Sequence, residues 1–225
     1  MRLSVVIPAL DEAEGIRATL EPLQGWRSAG NEVLLADGGS RDATVERARP
    51  LCDRVIEAPR GRARQMNAGA ALAAGEGIVF LHADTRLPPE GWRLVEQALD
   101  AAPWGRFDVA IDSARPMLRV VSAMMNWRSR RTGIATGDQA IFVRAEAFRA
   151  LGGFADIALM EDIEFSARAR ALAPPACLSA RASTSARRWE RHGVWRTILL
   201  MWRLRAAYAL GADPAHLSER YARHA

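Results

Sequence analysis

Residues 3–12 read Leu3-Ser4-Val5-Val6-Ile7-Pro8-Ala9-Leu10-Asp11-Glu12. An apolar run with β-branched Val5, Val6 and Ile7 at its centre breaks at Pro8 and ends in an acidic turn. That composition fits a short strand buried on both faces. The pattern repeats downstream. Glu12 to Leu23 has helical periodicity, Glu32 to Ala36 is a second apolar strand, and Asp42 to Leu51 is helical again. A short strand is expected near Arg54 to Glu57, an alanine-rich helix over Arg62 to Ala74, and a fourth apolar strand over Ile78 to His82. Apolar strands separated by helices predict an α/β fold, a mostly parallel central sheet with helices on both faces.

The second half is less regular. Phe107 to Ile111 and Gln139 to Val143 read as strands; Pro116 to Arg131, Glu161 to Leu172 and Val194 to Leu210 read as helices. Pro88-Pro89 and Pro174-Pro175 mark turns. With 225 residues, 49% of them hydrophobic, the chain can bury one sizeable core, which predicts a single domain over 1–225. Cys52 and Cys177 show no paired spacing, so neither a disulfide framework nor a zinc site is expected, and a reducing cytosol fits. The run Leu3 to Pro8 is too short for a signal-peptide core, and no stretch of about 18 apolar residues predicts a membrane span.

All 31 basic residues are arginine and the net charge is +5. The surplus is local. Nine arginines face three acids from Arg181 to Ala225, whereas the rest of the chain holds 22 arginines against 23 acids. A basic C-terminal section suits phosphate-rich partners or an anionic membrane surface; the alternative is a solvated arginine face. A nucleic-acid protein is not indicated, because the charge is local and no recognised module is present.

Sites in open parallel sheets lie beyond the carboxyl ends of strands. Those ends carry Pro8-Ala9-Leu10-Asp11-Glu12, then Asp37-Gly38-Gly39-Ser40-Arg41-Asp42-Ala43-Thr44, then His82-Ala83-Asp84-Thr85. The first turn has no G-x-G-x-x-G, which counts against a dinucleotide-binding dehydrogenase. Asp37 can accept hydrogen bonds from a base or ribose, Gly38-Gly39 permits close backbone approach, and Ser40 or Asp42 can cap the next helix. Arg60-Gly61-Arg62-Ala63-Arg64-Gln65 places three arginines at a helix start, where positive charge opposes the helix dipole. An anion such as phosphate would offset it. His82 and Asp84, two residues apart on an extended segment, can face the same side and together hold a divalent cation beside a diphosphate. Glu161, Asp162 and Glu164 lie within one helical turn. Their repulsion can raise a pKa and suit one of them to base catalysis, the alternative being an acidic helix start favoured by the dipole.

Together these segments resemble the family 2 inverting glycosyltransferases of the GT-A fold. "SVVIPALDE" looks like the opening strand and nucleotide-contacting turn, "LLADGGSRDAT" like the second strand with a D-D-G-S-x-D-x-T motif, and "HADT" sits where the family has D-x-D. "GDQAIFVRAEAFRALGGF" looks like the strand, helix and Gly-Gly-Phe turn before the catalytic carboxylate, "MEDIEFSAR" like the E-D motif carrying the base, and "SARRW" like Q-x-x-R-W. "RGRARQMNAG" and "RRWERHG" are similar to a small bacterial subfamily described as radical-SAM/selenodomain-associated transferases.

The resemblance implies a Rossmann-like nucleotide-sugar-binding half over 1–105, an acceptor and catalytic half over 106–190, and a basic helical segment over 191–225. It implies that Pro8, Ala9 and Glu12 line the base and ribose pocket and that Asp37 holds the nucleoside. Arg60, Arg64 or Gln65 would lie near the diphosphate, and Arg188 and Trp189 would close on donor or acceptor. Asp84, with His82, would hold Mn²⁺ or Mg²⁺, and Asp162, beside Glu161, would be the base. Two residues depart from the pattern. His82 replaces the first acid of D-x-D and removes a negative charge from a hard-cation site. Ser185 replaces the Gln or Arg of Q-x-x-R-W, which with the lack of transmembrane helices argues against processive synthesis.

The expected reaction is transfer of a sugar from a UDP- or GDP-linked donor to an acceptor hydroxyl, in the cytoplasm or at the inner face of a membrane. Two alternatives stand beside it. A sugar nucleotidyltransferase would need a glycine-rich triphosphate loop where "PALDE" stands; a catalytically silent nucleotide-sugar-binding subunit draws support from His82. Met117 to Trp127 reads as core or as an apolar acceptor groove. Trp195, Leu199 and Trp202 share a helix face that can meet a membrane and a lipid-linked acceptor, or pack on the catalytic domain or a second subunit.

Overall fold

The computed structural model describes residues 1–223. Its first half alternates strand and helix as the sequence predicts. β1 (Leu3–Ala9) leads through α1 (Ile16–Leu20) and α2 (Gln24–Ser28) to β2 (Glu32–Asp37), then through α3 (Thr44–Ala48) to β3 (Arg54–Glu57) and through α4 (Arg62–Ala71) to β4 (Gly77–Phe80). Two expected helices are broken. Pro22 and Pro50 each sit near the start of a 3₁₀ turn, at Glu21–Leu23 and Arg49–Leu51, where a missing N–H ends the α-helical ladder.

The second half runs β5 (Thr85–Arg86), α5 (Gly91–Ala101), β6 (Trp104–Asp112), α6 (Pro116–Thr132), β7 (Phe142–Arg144), α7 (Ala145–Ala150), α8 (Glu161–Leu172), β8 (Ala176–Ser185), α9 (Arg187–His192), α10 (Val194–Ala209) and α11 (Pro214–Ala222). The last two residues of the basic segment expected at 191–225 lie outside the described residues. α6 starts on Pro116 and stops at Gly133, whose φ of 69° is the left-handed turn that glycine adopts without Cβ strain.

All eight strands join one sheet in the order β3-β2-β1-β4-β7-β6-β8-β5. β3, β2, β1 and β4 are parallel, and β8 runs parallel to β6. β7 is antiparallel to both β4 and β6, and β5 is antiparallel to β8, so the acceptor half is mixed where a mostly parallel sheet was expected. The α/β, GT-A-type architecture holds. Alternation along the strands divides the core in two. Val5, Ile7, Val33 and Leu35 pack under α1, α2 and α5 through Ile16, Leu20, Trp26, Val95 and Leu99. Val6, Leu34 and Phe80 face the other way, against Met66 of α4, Phe148 of α7 and Phe165 of α8. Helices therefore cover both faces.

Candidate active site

At the carboxyl ends of β1 and β2, Pro8 lies in register with Ala36, and Ala9 with Asp37. The turn after β2 is fastened to the turn after β1. Ser40 Oγ accepts the Asp11 N–H at 3.0 Å, Thr44 Oγ1 the Glu12 N–H at 2.8 Å, and Asp42 the Ala13 N–H at 3.0 Å. Asp37 accepts the N–H groups of Gly39 and Ser40, both at 3.0 Å, and so folds its own turn. These bonds explain the polar residues of the segment. Neither Ser40 nor Asp42 is the cap of α3 that the sequence suggests: the cap position is Ala43, and Asp42 bridges the Ala13 and Thr44 N–H groups instead. Glu12 faces the far end of the chain, where its carboxylate is 2.9 Å from Arg187.

β4 ends at Phe80, and the chain turns so that Thr85 N–H donates to the His82 carbonyl at 3.0 Å. His82 and Asp84 therefore converge through a turn and not along an extended strand. A third group joins them. Asp138, in the 3₁₀ turn Gly137–Gln139, lies 3.3 Å from His82 Nδ1. The ligand atoms of His82, Asp84 and Asp138 all fall within 4.8 Å of one another. One imidazole and two carboxylates form a borderline nitrogen–oxygen donor set that fits a divalent cation. Burial works to raise the Asp138 pKa, but the His82 hydrogen bond and the charges of His82, Arg62 and Arg188 hold it below the ordinary value.

Gly137 makes this convergence possible. A Cβ there would collide with the His82 imidazole. Gly137→Ala is expected to push His82 away from Asp138 and to cost about 1–3 kcal/mol of stability, measurable as a lowered denaturation midpoint.

Asp162 stands in the first turn of α8. Its Oδ2 accepts the Gly137 N–H at 2.8 Å, which ties it to the residue before Asp138. It lines a narrow cavity with His82, Phe80 and Phe154. Removal from water, then repulsion by Glu161, pushes its pKa up to about 6 against the opposing pull of the Gly137 N–H, Arg62 and His82. Glu161 is 1% exposed and is held by Arg62 Nη1 at 3.0 Å, so it anchors an arginine beside Asp162 and does not face the cleft alone. Met160, which caps α8, has φ 72°, and Asp11 and Ala140 are also left-handed, with φ 53° and 46°. Strain of about 1–3 kcal/mol per such residue is tolerated where geometry is over-determined; Met160 directly precedes Glu161 and Asp162, Ala140 follows the turn of Asp138, and Asp11 lies in the turn bonded to Ser40 and Arg41.

The remaining expected residues divide. Arg188 reaches the cluster: Asp138 and Asp84 act on its charge, and its guanidinium lies 4.4 Å from the Tyr221 ring centroid. Arg60 is exposed, and Arg64 turns outward to Asp156 at 2.7 Å. Gln65 is buried, its amide donating to the Ala9 and Ala36 carbonyls at 2.7 and 2.9 Å, so it braces the ends of β1 and β2 from beneath. Trp189 packs toward α6, with Ile111, Leu118 and Ala186.

A sequence model described as "Glycosyl transferase family 2" matches residues 4–150, more than half of the chain. The chain belongs to glycosyl transferase family 2. An uncharacterized glycosyltransferase of Haemophilus influenzae is 30% identical over 104 residues, covering 45% of this chain and 35% of that protein. Among solved structures, S. aureus TarS 1–349 in complex with UDP superposes with a TM-score of 0.68 at 20% identity, over 82% of this chain and 60% of that one. Mannosyltransferase PcManGT from Pyrobaculum calidifontis, in complex with GDP-Man and Mn²⁺, gives 0.64 at 20% identity, over 99% and 69%. At such identity these likenesses speak to the fold. The chain spans about a third of the length of the curated relatives it matches.

The sequence alone assigns no individual role to two residues of this cluster. Asp138 lies in "GDQAIFVRAEAFRALGGF", which resembles the strand, helix and Gly-Gly-Phe turn before the catalytic carboxylate, and nothing local marks it as a partner of His82. Arg62 is one of the three arginines at the helix start, whereas the resemblance points to Arg60 and Arg64 as the ones near the diphosphate.

Proposed function

We propose that this chain is an inverting glycosyltransferase that moves a sugar from a UDP- or GDP-linked donor to an acceptor hydroxyl, with Asp162 as the general base. The observation that carries the proposal is the placement of Asp162. It has a raised pKa and is hydrogen-bonded to Gly137, whose neighbour Asp138 belongs to the cation-binding cluster. One side of the site is thus fitted to remove a proton and the other to offset the charge of a leaving diphosphate.

Pro8, Ala9, Asp37 and Glu12 form the nucleoside end. Arg188 and Arg62 supply positive charge near the diphosphate, beside His82, Asp84 and Asp138. A bound divalent cation would supply Lewis-acid stabilisation of the departing diphosphate. Asp162 takes the acceptor proton on the opposite face, so a single displacement inverts the anomeric carbon. Asp138 also weakens the reading as a silent subunit. A carboxylate from a distant turn, its oxygen within 4.8 Å of the His82 and Asp84 ligand atoms, would take the place of the acid missing from the D-x-D position.

The test is incubation with UDP- and GDP-sugars and Mn²⁺, with nucleoside diphosphate release as readout. Release with one donor class supports the proposal, and none with any donor or acceptor counts against it. Because the base must be deprotonated, kcat/KM is expected to fall about tenfold per pH unit below about 6, where an ordinary aspartate would hold activity to near 4. A pH–rate profile flat down to pH 4.5 would remove Asp162 from the role. For the acceptor we favour a lipid-linked hydroxyl met at the cytoplasmic face of a membrane, with α10 making the peripheral contact. The support is its exposed Trp195, Leu199 and Trp202.

A further inference from the structure

Two helices leave apolar faces uncovered. On α6, Met117, Val120, Met124 and Trp127 are exposed and recur every three or four residues, which places them on one stripe. On α10, Trp195, Leu199 and Trp202 do the same. Trp127, Trp195 and Trp202 are 59%, 65% and 70% exposed, unusual for the residue with most apolar surface to hide. The two helices share a packed base: Val121 and Met125 of α6 and Val194, the first residue of α10, all pack against the buried cluster of Ile111, Leu118 and Ala186. The exposed stripes therefore flank one packed junction.

The charge on these helices has one sign. Neither helix contains an aspartate or glutamate. Arg130 of α6 is paired with Asp108, and Arg128 and Arg205 are part-buried, which leaves Arg119 and Arg131 of α6 and Arg196 and Arg203 of α10 as the exposed charges. We propose that α6 and α10 together form a docking face for an anionic lipid bilayer, their tryptophans and aliphatic side chains entering the headgroup region and their arginines meeting lipid phosphates. This rests on the reading of α10 given above and deepens it by adding α6 to the same surface. A second copy of the chain fits this face poorly, since two such surfaces would oppose like charges with no acid on these helices to offset them. No helix among the described residues is long and apolar enough to cross a membrane.

The face leads to the site from two directions. Asp112, at the end of β6 just before α6, lines the same cleft as Asp84. The inner edge of α10, through Leu204, packs on Leu159 and Met160, immediately before Glu161 and Asp162. A bilayer held on α6 and α10 would present a lipid-borne hydroxyl beside the reacting groups.

The test is co-sedimentation of the full chain, without donor, with phosphatidylcholine vesicles and with vesicles of equal parts phosphatidylcholine and phosphatidylglycerol. The expected result is salt-sensitive binding to the mixed vesicles and little to phosphatidylcholine alone. Met124→Ser with Trp127→Ser, and separately Trp195→Ser with Trp202→Ser, should each weaken binding. Arg196→Gln with Arg203→Gln should weaken it about 30-fold. All of these residues are half or more exposed to solvent or carry solvent-facing charge, so unchanged thermal melting confirms that the variants fold. Absence of binding to mixed vesicles would overturn the proposal. So would binding that survives the α6 changes intact, or a dimer in solution that the same substitutions dissociate. Vesicle binding by a chain that shows no transfer would leave the docking face standing and remove only the catalytic reading.

Discussion

Asp162→Asn is expected to lower kcat by about 10²–10⁴-fold while nucleotide binding persists. The substitution keeps one carbonyl oxygen to accept the Gly137 N–H and hold the turn carrying Asp138, while the bond from the Ile163 N–H to the second oxygen, 2.7 Å, is lost. What is lost is the ability to take a proton. The same change relieves the repulsion between Asp162 and buried Glu161, which offsets the lost Ile163 bond, so stability should change little. Kinetics beside a nucleotide titration separates the two effects. Loss of binding together with rate would mean that Asp162 shapes the pocket and is not the base.

The second large effect concerns the cation cluster. Asp84→Asn and Asp138→Asn are each expected to weaken Mn²⁺ binding by about 10–100-fold or more, since second-shell changes alone reach that range and these carboxylates are placed to bind directly. The Asp138 result discriminates most. If the His82 position has lost its acid and Asp138 compensates, His82→Asp combined with Asp138→Asn should recover much of the affinity that Asp138→Asn alone removes. Electron paramagnetic resonance of free Mn²⁺ reads this without reference to activity. Asp138→Asn with unaltered affinity would reduce the site to His82 and Asp84.

How far the site was legible depends on which contacts are local. The strands β1, β2 and β4 announced themselves because they are buried on both faces and carry few polar residues. The acids at their ends follow directly. Asp138 was hidden because its meeting with His82 is created by the antiparallel pairing of β4 with β7: Val79 pairs with Phe142, and Phe80 N–H donates to the Ile141 carbonyl at 2.8 Å. That pairing joins residues more than 50 positions apart, and no local pattern encodes it. Arg62 was hidden for a different reason. Residues two apart on a helix point about 200° away from each other, so Arg62 and Arg64 cannot both face the site. The sequence does not say which one does; the packing of α4 turns Arg62 toward Glu161 and Arg64 toward Asp156. β8 went unread because Ala-Cys-Leu-Ser-Ala-Arg-Ala-Ser-Thr-Ser is small and polar. Its place beside β6 is set by the sheet and not by its own propensity. It matters, because β8 delivers Arg187 and Arg188 to the site, with the Ser185 N–H bonded to the Asp84 carbonyl at 3.1 Å. The exposed stripe of α6 was readable as apolar periodicity, but only the fold shows which of its faces is left uncovered.

The most direct test of the central claim is thermal denaturation with UDP and with GDP, each with and without Mn²⁺, on the unaltered chain and on Asp84→Asn. The account predicts that one nucleotide raises the midpoint by several degrees, that Mn²⁺ enlarges the shift, and that Asp84→Asn loses the Mn²⁺-dependent part. No shift with either nucleotide, or a shift indifferent both to Mn²⁺ and to the loss of Asp84, would contradict it.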